Sequence, residues 1–422
     1  MEESSNFLKE IEEVNKAKAK PKMYKESSFK GSSKKMSSIP EQLVVSDSDD
    51  SEEEKDVMME SSDKIGEMPM PQAMFAQPPK FSGRVKASIP VPDFPEGAKP
   101  KVRKVGRNYD PISWEEVFDH REMIDDTIPI YFSGEDGPLI FCIHGAGHSA
   151  LSFGPLAREC KDFARVVSFD LRGHGGHFIE DENNMPIEIL LQEAKFVLKY
   201  VIEKFEDASI IICGHSLGGA LAAKLAYSIV HPEDEEEPEF DPKHITGLFV
   251  IDVAEGSAIG ALPFMEQIVE SRPSEFDSVT DAIKWGILSG QVKNLPSAKI
   301  TMPDLVVERD GKYTWRTDLL ASKDYWKEWF TGMNKCFLET KVPKTLVIAS
   351  NDRMDTELTI AQMGGKFKLA SMLDVGHTIQ EDAPTELAAQ FRDFINTFKI
   401  KAKFNERRVI IGANGREIVI DH

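Results

Sequence analysis

The stretch SIIICGHSLGGALAAKLA at residues 209–226 decides the fold of this 422-residue chain. A β-branched apolar run ends at Cys213, a glycine-rich turn follows, and an alanine-rich run with helical character begins at Leu217. A serine at the apex of such a strand–turn–helix unit adopts a strained backbone, and the flanking glycines leave the room for it. The pattern predicts Ser216 as a catalytic nucleophile; the alternative is a buried serine at a glycine-rich helix start.

Apolar runs on both sides of this turn predict a parallel sheet. The candidate strands cover residues 138–143, 165–169, 209–213, 247–251, 344–349 and 368–373. Several of them are apolar throughout rather than alternating, which is typical of parallel strands covered by helices on both faces. Together with the turn at Ser216, this pattern predicts an α/β-hydrolase fold, in which a mostly parallel sheet lies between two layers of helices.

The strand pattern lapses over residues of about 256–342, and this stretch predicts a helical cap. A cap would lie over the carboxyl ends of the strands, where open α/β sheets bind their ligands. For each tryptophan in the stretch, packing within the core of the cap is a safer expectation than contact with a ligand. The stretch holds four of the five tryptophans, namely Trp285, Trp315, Trp326 and Trp329.

Composition divides the chain into three parts. Residues 1–105 are rich in Ser, Lys, Glu and Pro, so we predict a disordered tail. Residues 106–400 form the predicted hydrolase domain, and residues 401–422 form an extension whose Asn-Gly turn between two β-rich runs is compatible with a hairpin. Serines precede acidic residues at 46–54, which indicates a phosphoprotein; the alternative is an acidic run that is only solvated. For the acidic loop around Glu235, a solvated insertion is the default interpretation.

Charge and cysteine content restrict the kinds of partner and the cellular compartment that we expect for this chain. The net charge of −20 disfavours binding to nucleic acid or to anionic membranes. No apolar stretch reaches the length of a membrane span, and the four cysteines lack metal-site spacing, which predicts reduced, buried thiols. We expect a cytoplasmic protein, and the basic run at 99–107 is a weak indication of a nuclear one.

A serine nucleophile requires a base and an acid, and the chain order typical of this fold is serine, acid, histidine. His377 follows a predicted strand and a glycine that exposes its ring, so it is the predicted general base. Two aspartates follow strands in the permitted order. Asp352 occupies the place where most enzymes of this fold keep the acid, whereas Asp252 follows the strand nearer the nucleophile. On the residues alone, the habit of the fold favours Asp352.

Two backbone amides must stabilise the oxyanion that forms at the attacked carbonyl. Leu217, directly after the nucleophile, is the first predicted donor. Ala146, in the His-Gly loop after the strand at 138–143, is the second. His144 and His148 in that loop lack the intervening glutamate of a metalloprotease helix, so we expect no metal there.

Longer motifs lie in the His-Gly loop (the oxyanion loop), after the fourth candidate strand, in the cap and around the histidine, at residues 141–152, 251–258, 289–295, 313–316 and 376–384. Together these segments resemble those of the protein phosphatase methylesterases. Because the cap segments match as well as the catalytic ones, this resemblance is far more specific than the serine turn alone. The departures are Ala146 in place of an expected glycine, the acidic loop around Glu235 and the long amino-terminal tail.

The resemblance implies a substrate, an acid and a partner. Such enzymes hydrolyse the methyl ester on the carboxyl-terminal leucine of the protein phosphatase 2A catalytic subunit. Their catalytic aspartate matches Asp252, with Asp352 kept as the alternative, so the implied serine carboxylesterase has the triad Ser216, Asp252 and His377 and uses no cofactor. The tail segment LKEIEE at 8–13 fits a pattern that some regulatory subunits of the same phosphatase bind, or it is a weak amphipathic turn.

Two other classes of function stay open at this level. A general small-molecule esterase or lipase would use the same triad, but a lipase is expected to expose an apolar lid, of which this acidic chain shows little sign. A catalytically idle scaffold that binds the phosphatase would have no reason to keep an intact serine, histidine and aspartate. Turnover of a methylated phosphatase, compared with turnover of a simple ester, separates the three.

Overall fold

The computed structural model describes residues 108–206, 208–231, 241–350 and 354–404, together with the backbone of two strands near the carboxyl terminus. Those two strands, Arg408–Ile411 and Glu417–Ile420, pair antiparallel, and the Asn-Gly turn between them lies outside the described residues. The predicted tail at 1–105, the acidic loop around Glu235 and the alternative acid Asp352 also lie outside them.

An eight-stranded sheet forms the centre of the hydrolase domain. Its order is β1-β2-β4-β3-β5-β6-β10-β11, with β1 and β2 antiparallel to their neighbours and the other pairs parallel. This is the predicted, mostly parallel α/β architecture. In chain order the strands of the domain are β1 (His120–Ile124), β2 (Ile128–Ser133), β3 (Leu139–Ile143), β4 (Arg165–Phe169), β5 (Ile210–His215), β6 (Ile245–Ile251), β7 (Glu275–Phe276), β8 (Val306–Arg309), β9 (Lys312–Trp315), β10 (Lys344–Ile348) and β11 (Lys368–Ser371).

The six strands predicted from the sequence are all present, with ends that differ by at most two residues. The prediction missed β1 and β2. Most of β1 is exposed and its sequence is polar, so it lacks an apolar signal. All of β2 is buried, but it contains Pro129, which lacks an amide donor and argues against a strand in sequence reasoning.

Helices cover both faces of the large sheet. Successive residues of β5 point to opposite faces, so Ile210 and Ile212 join one apolar cluster while Ile211 joins the other. Among the described helices, none is both long and apolar enough to cross a bilayer. In chain order the helices are α1 (Gly154–Cys160), α2 (Ile187–Lys204), α3 (Leu217–Val230), α4 (Glu255–Glu270), α5 (Val279–Ser289), α6 (Leu295–Thr301), α7 (Trp326–Phe330), α8 (Met333–Glu339), α9 (Thr356–Met363), α10 (Ile379–Asp382) and α11 (Pro384–Phe398).

Each face of the sheet has its own core. Helices α2 and α3 pack on the first face, where the first two turns of α3 are buried on every side and consist mostly of small residues. Helices α1 and α11 pack on the second face, where Phe249 of β6 stacks on Phe391 of α11 with 4.0 Å between ring centroids. The cysteines belong to these layers: Cys142, Cys160 and Cys213 are buried free thiols, as predicted, and Cys336 is half-buried.

The cap contains more than helices. Helices α4 to α8 alternate with a three-stranded antiparallel sheet in the order β7-β9-β8, which sequence reasoning did not predict because these strands are only two to four residues long and half-exposed. Trp285 and Trp315 pack with Phe276 in a small cluster of their own. Trp326 and Trp329 are instead buried in the core of the first sheet face. All four tryptophans therefore have packing roles.

Candidate active site

The turn after β5 holds Ser216 in a backbone conformation that L side chains rarely adopt. Its φ is 53° and its ψ is −120°, and its amide donates to the carbonyl of Ile251 at 3.0 Å. A Cβ atom on Gly214 would lie 1.9 Å from the carbonyl oxygen of Gly218. A Cβ atom on Gly218 would lie 2.0 Å from the carbonyl oxygen of Ile143. Glycine is therefore required at both positions, and the strained serine is presented at the start of α3.

His377 and Asp252 form an acid–base pair. Nδ1 of His377 donates to Oδ2 of Asp252 at 2.7 Å, and Oδ1 of the same carboxylate accepts from the amide of Ala349 at 2.9 Å. Asp252 follows β6 and is fully buried, whereas His377, in the loop after β11, keeps 19% of its side chain exposed. Because a carboxylate only accepts, Nδ1 of His377 carries the proton and Nε2 has the lone pair that a base needs.

The residue before the nucleophile connects the serine turn to the histidine. His215 donates from Nε2 to the main-chain carbonyl of His377 at 2.9 Å, and the two ring centroids are 4.6 Å apart. Since His215 precedes Ser216 in the chain, this contact brings the predicted nucleophile and base to one place. The three predicted triad residues thus lie at the same carboxyl-end edge of the sheet, beyond β5, β6 and β11, with His377 bonded to Asp252 and to the residue before Ser216.

The two predicted oxyanion donors lie in two segments that adjoin the nucleophile. Leu217 begins α3, and the first amides of a helix have no acceptor in a preceding turn. Ala146 lies in the loop after β3, which passes close to the serine: a Cβ atom on Gly145 would lie 3.1 Å from Cβ of Ser216. Both predicted donors therefore lie in segments next to Ser216, where amides that stabilise an oxyanion are needed.

Hydrogen bonds of two buried histidines attach the oxyanion loop to the segment that follows β4. His174 accepts from the amide of Gly147 at 2.9 Å, and His144 accepts from the amide of Leu171 at 3.0 Å. The amide of His148 donates to a carbonyl within the loop, so the Gly147 and His148 amides are both engaged and Ala146 stays the predicted donor. Each accepting ring donates from Nδ1 to a main-chain carbonyl, so both nitrogens of each ring are used.

Burial keeps these histidines neutral, which they must be to accept hydrogen bonds. Burial lowers the pKa of His144 well below its usual value, and the neighbouring His174 lowers it further. Burial also lowers the pKa of His174 from 6.5 to about 4. An uncharged Nε2 therefore faces each loop amide at neutral pH.

Sequence reasoning missed the polar groups that lie behind the triad. Glu381 is fully buried and accepts from the hydroxyls of Ser152 and Thr301, each at 2.7 Å. His215 was likewise not singled out. Both residues had a signal in their spacing, since His215 directly precedes the serine and Glu381 follows His377 by one helical turn. The hydrogen bond from His377 supports Asp252 as the acid, and the alternative acid Asp352 lies outside the described residues.

Comparison with known proteins defines the class first. The model of the alpha/beta hydrolase family matches residues 140–390, and the chain belongs to this family. A solved structure titled E-2-(acetamidomethylene)succinate hydrolase aligns with a TM-score of 0.52, at 18% identity, over 66% of this chain and 98% of that chain. At that identity the likeness supports the fold alone, and it agrees with the mostly parallel sheet.

Sequence relatives then define the branch of the family. The probable protein phosphatase methylesterase 1 of Caenorhabditis elegans is 38% identical over 294 residues, which is 68% of this chain and 78% of the relative. Protein phosphatase methylesterase 1 of Schizosaccharomyces pombe is 37% identical over 296 residues, or 67% of this chain and 84% of the relative. The chain is a member of the protein phosphatase methylesterases and an ester hydrolase, as the resemblance of its motifs implied.

Proposed function

We propose that this chain hydrolyses the methyl ester on the carboxyl-terminal leucine of the protein phosphatase 2A catalytic subunit, with Ser216, His377 and Asp252 as its triad. The observation that carries the proposal is the 2.7 Å hydrogen bond between His377 and the buried Asp252, beside a serine in strained conformation, in a protein phosphatase methylesterase sequence. Such a triad supplies a nucleophile, a base and a carboxylate that orients the base, which is sufficient for ester hydrolysis.

The first half of the reaction transfers the leucine acyl group to the serine. Ser216 Oγ attacks the ester carbonyl carbon while Nε2 of His377 takes the hydroxyl proton. The resulting oxyanion accepts hydrogen bonds from the amides of Leu217 and Ala146. The imidazolium then donates its proton to the methoxy oxygen, the carbon–oxygen bond breaks, and methanol leaves. Asp252 stabilises the imidazolium throughout, because its carboxylate accepts from Nδ1.

The second half of the reaction returns the serine to its free form. Nε2 of His377 takes a proton from water, and the water oxygen attacks the acyl carbon through a second oxyanion. Collapse of this intermediate breaks the bond to Ser216 Oγ, which regains its proton from the imidazolium. The products are a free leucine carboxylate and one methanol per turnover, and no electrons are exchanged.

Methanol release tests this proposal. The purified chain, a Ser216→Ala variant and a Ser228→Ala control are incubated with carboxyl-methylated phosphatase and, separately, with p-nitrophenyl acetate. Ser228 also lies in α3 but its hydroxyl donates to a helix carbonyl, so its removal leaves the triad intact. From the methylated phosphatase we expect methanol with the wild type and the control, and a loss of about 10⁴-fold or more in Ser216→Ala. Turnover of p-nitrophenyl acetate is followed as release of p-nitrophenol.

Other outcomes of the same assay favour the other two classes of function. Comparable turnover of the phosphatase and of a range of unrelated esters would indicate a general esterase. Binding of the methylated phosphatase without any turnover would indicate a scaffold. Turnover by Ser216→Ala at the wild-type rate would remove the proposed nucleophile.

Two further proposals concern the amino-terminal tail and the cellular compartment of the protein. We propose that residues 8–13 bind regulatory subunits of the phosphatase, and that the protein is cytoplasmic with a nuclear fraction directed by the basic run at 99–107. Deletion of residues 1–20 is expected to weaken co-purification of regulatory subunits, and unchanged binding would contradict the first point. Imaging of the chain with and without residues 99–107 tests the second.

A further inference from the structure

Three buried side chains next to the triad form a row of neighbours that leads to the predicted base, His377. They are Glu381, His148 and His215. Nδ1 of His148 lies 3.5 Å from Oε1 of Glu381, and the His148 ring meets the His215 ring edge-on, with centroids 5.5 Å apart. The His215 ring in turn lies 4.6 Å from the ring of His377. The row joins three segments: the oxyanion loop holds His148, β5 ends at His215, and the last loop and α10 hold His377 and Glu381.

Within this row, His215 is the residue that forms a hydrogen bond to the main chain of the predicted base, His377. The carbonyl oxygen of His377 can only accept, so Nε2 of His215 carries the proton and donates at 2.9 Å. His215 is fully buried, so water does not compete for the bond. The bond to Asp252 fixes the ring of His377, whereas the bond from His215 fixes the main chain from which the ring projects.

The other anchors of the histidine loop attach it to different parts of the domain. The amide of Gly376 donates to the carboxylate of Asp382 at 2.6 Å, within the same region of the chain. The hydroxyl of Thr378 donates to the carbonyl of Gln291 at 3.1 Å, which joins the loop to the cap. The bond from His215 differs because it joins the loop to the strand that carries the nucleophile.

We propose that His215 is a positioning residue for ester hydrolysis. Its Nε2–H bond to the His377 carbonyl sets the separation between the base and Ser216, the next residue in the chain, so that one rigid strand end defines both. The His148 ring packs against the His215 ring from the side of the oxyanion loop, and Glu381 lies beside His148. The proposal rests on the catalytic roles proposed above for Ser216 and His377.

Three substitutions separate a positioning role from a packing role. His215→Leu fills a similar volume without a donor. His215→Gln places an amide N–H near the position of Nε2, and His215→Asn keeps the amide but is too short to reach the His377 carbonyl. The matched control is His244→Leu, which removes another buried histidine that donates to a carbonyl, that of Ala208 at 2.9 Å, at the opposite end of the sheet.

The readouts are kcat and KM for p-nitrophenyl acetate and the rate at which a fluorophosphonate labels Ser216, on protein shown to be folded by circular dichroism. In His215→Leu and His215→Asn we expect kcat and the labelling rate to fall together by about 10²-fold, the loss typical of a misplacement near 1 Å, with KM within about twofold. His215→Gln should recover most of the loss. His244→Leu should keep the wild-type kcat even where its melting temperature falls.

Wild-type kcat and labelling in His215→Asn would overturn the proposal, and so would an equal loss in His215→Gln and His215→Asn or an equal loss in His244→Leu. If His215→Leu does not fold, the comparison of Gln with Asn decides. A wild type that no fluorophosphonate labels would overturn the nucleophile and the positioning role together. A labelled wild type with an unimpaired His215→Asn would overturn the positioning role alone.

Discussion

The turn around Ser216 and the first helix of the cap differ in how tightly the fold constrains each residue. A Cβ atom on Gly214 would lie 1.9 Å from a carbonyl oxygen, and the adjoining helix α3 buries most of its residues. A Cβ atom on Gly260 of α4 would meet nothing within 4 Å, and Ala258 is the buried residue of that helix. The contrast shows that close local packing enforces the position of the nucleophile, whereas the cap has room for a side chain at Gly260.

The largest expected effect concerns the acid at the constrained edge of the sheet. Asp252→Asn presents an amide to Nδ1 of His377 and favours the wrong tautomer, so kcat should fall by about 10⁴-fold while the chain stays folded. Asp352→Asn is the matched variant, and we expect its kcat to remain within about threefold of the wild type. Turnover of p-nitrophenyl acetate measures both. An inactive Asp352→Asn beside an active Asp252→Asn would reverse the assignment.

A substitution at Gly214 sharpens the comparison on the side of the serine turn. In Gly214→Ala the new Cβ atom meets the backbone of Gly218, which cannot move without displacing β3, so we expect a loss of roughly 3 kcal/mol or more in the free energy of unfolding. Urea denaturation measures this loss. An unchanged midpoint would mean that the turn is less rigid than its contacts indicate.

The pH dependence of stability tests the histidines that hold the oxyanion loop. Burial lowers the pKa of His174 to about 4, so between pH 6.5 and pH 4 the unfolded chain binds a proton that the folded chain does not. The free energy of unfolding therefore decreases as the pH is lowered from 6.5 to 4. His174→Gln can still accept from Gly147 but does not titrate. Between pH 7.5 and pH 5, the wild type should lose roughly 2 kcal/mol relative to this variant.

Urea denaturation of the two proteins at both pH values measures this difference. The other titrating groups are shared by the wild type and His174→Gln, so most of their contribution cancels, and His144 stays neutral in both because its burial alone lowers its pKa. A difference in stability that stays the same at pH 7.5 and pH 5 would contradict a neutral, buried His174.

The smallest expected effect lies in the cap. Gly260→Ala adds a methyl group where space is open, in a helix that glycine weakens, so the free energy of unfolding should rise by roughly 0.5–1 kcal/mol with kcat unchanged. Thermal denaturation followed by an esterase assay measures both quantities. A loss of stability would show that α4 packs more tightly than its exposed residues indicate.

Much of the fold follows from local sequence because buried parallel strands need continuous apolar runs. Those runs predicted β3 to β6, β10 and β11 within two residues, whereas the polar β1 and the proline-containing β2 gave no such signal. The short strands of the cap were missed because they form a small sheet in which each strand is too short for a periodic pattern. Element length and burial therefore decided what the sequence could predict.

The site divides in a similar way. Ser216 and His377 have local signals, a turn between strand and helix and a glycine after a strand. The choice between Asp252 and Asp352 has none, because both follow parallel strands, and it required either the resemblance or the bond from His377. The role of His215 depends on a contact with a residue 162 positions away, which no local pattern encodes.

Hydrolysis in water enriched in ¹⁸O tests the central claim most directly. The wild type and Ser216→Ala are incubated with carboxyl-methylated phosphatase 2A, and the mass of the carboxyl-terminal peptide of the phosphatase is measured by mass spectrometry. We predict that the wild type removes the methyl group and leaves one ¹⁸O atom in the leucine carboxylate, while Ser216→Ala leaves the ester intact. Demethylation by Ser216→Ala at the wild-type rate, or a demethylated leucine without ¹⁸O, would contradict attack by Ser216 on the ester carbonyl.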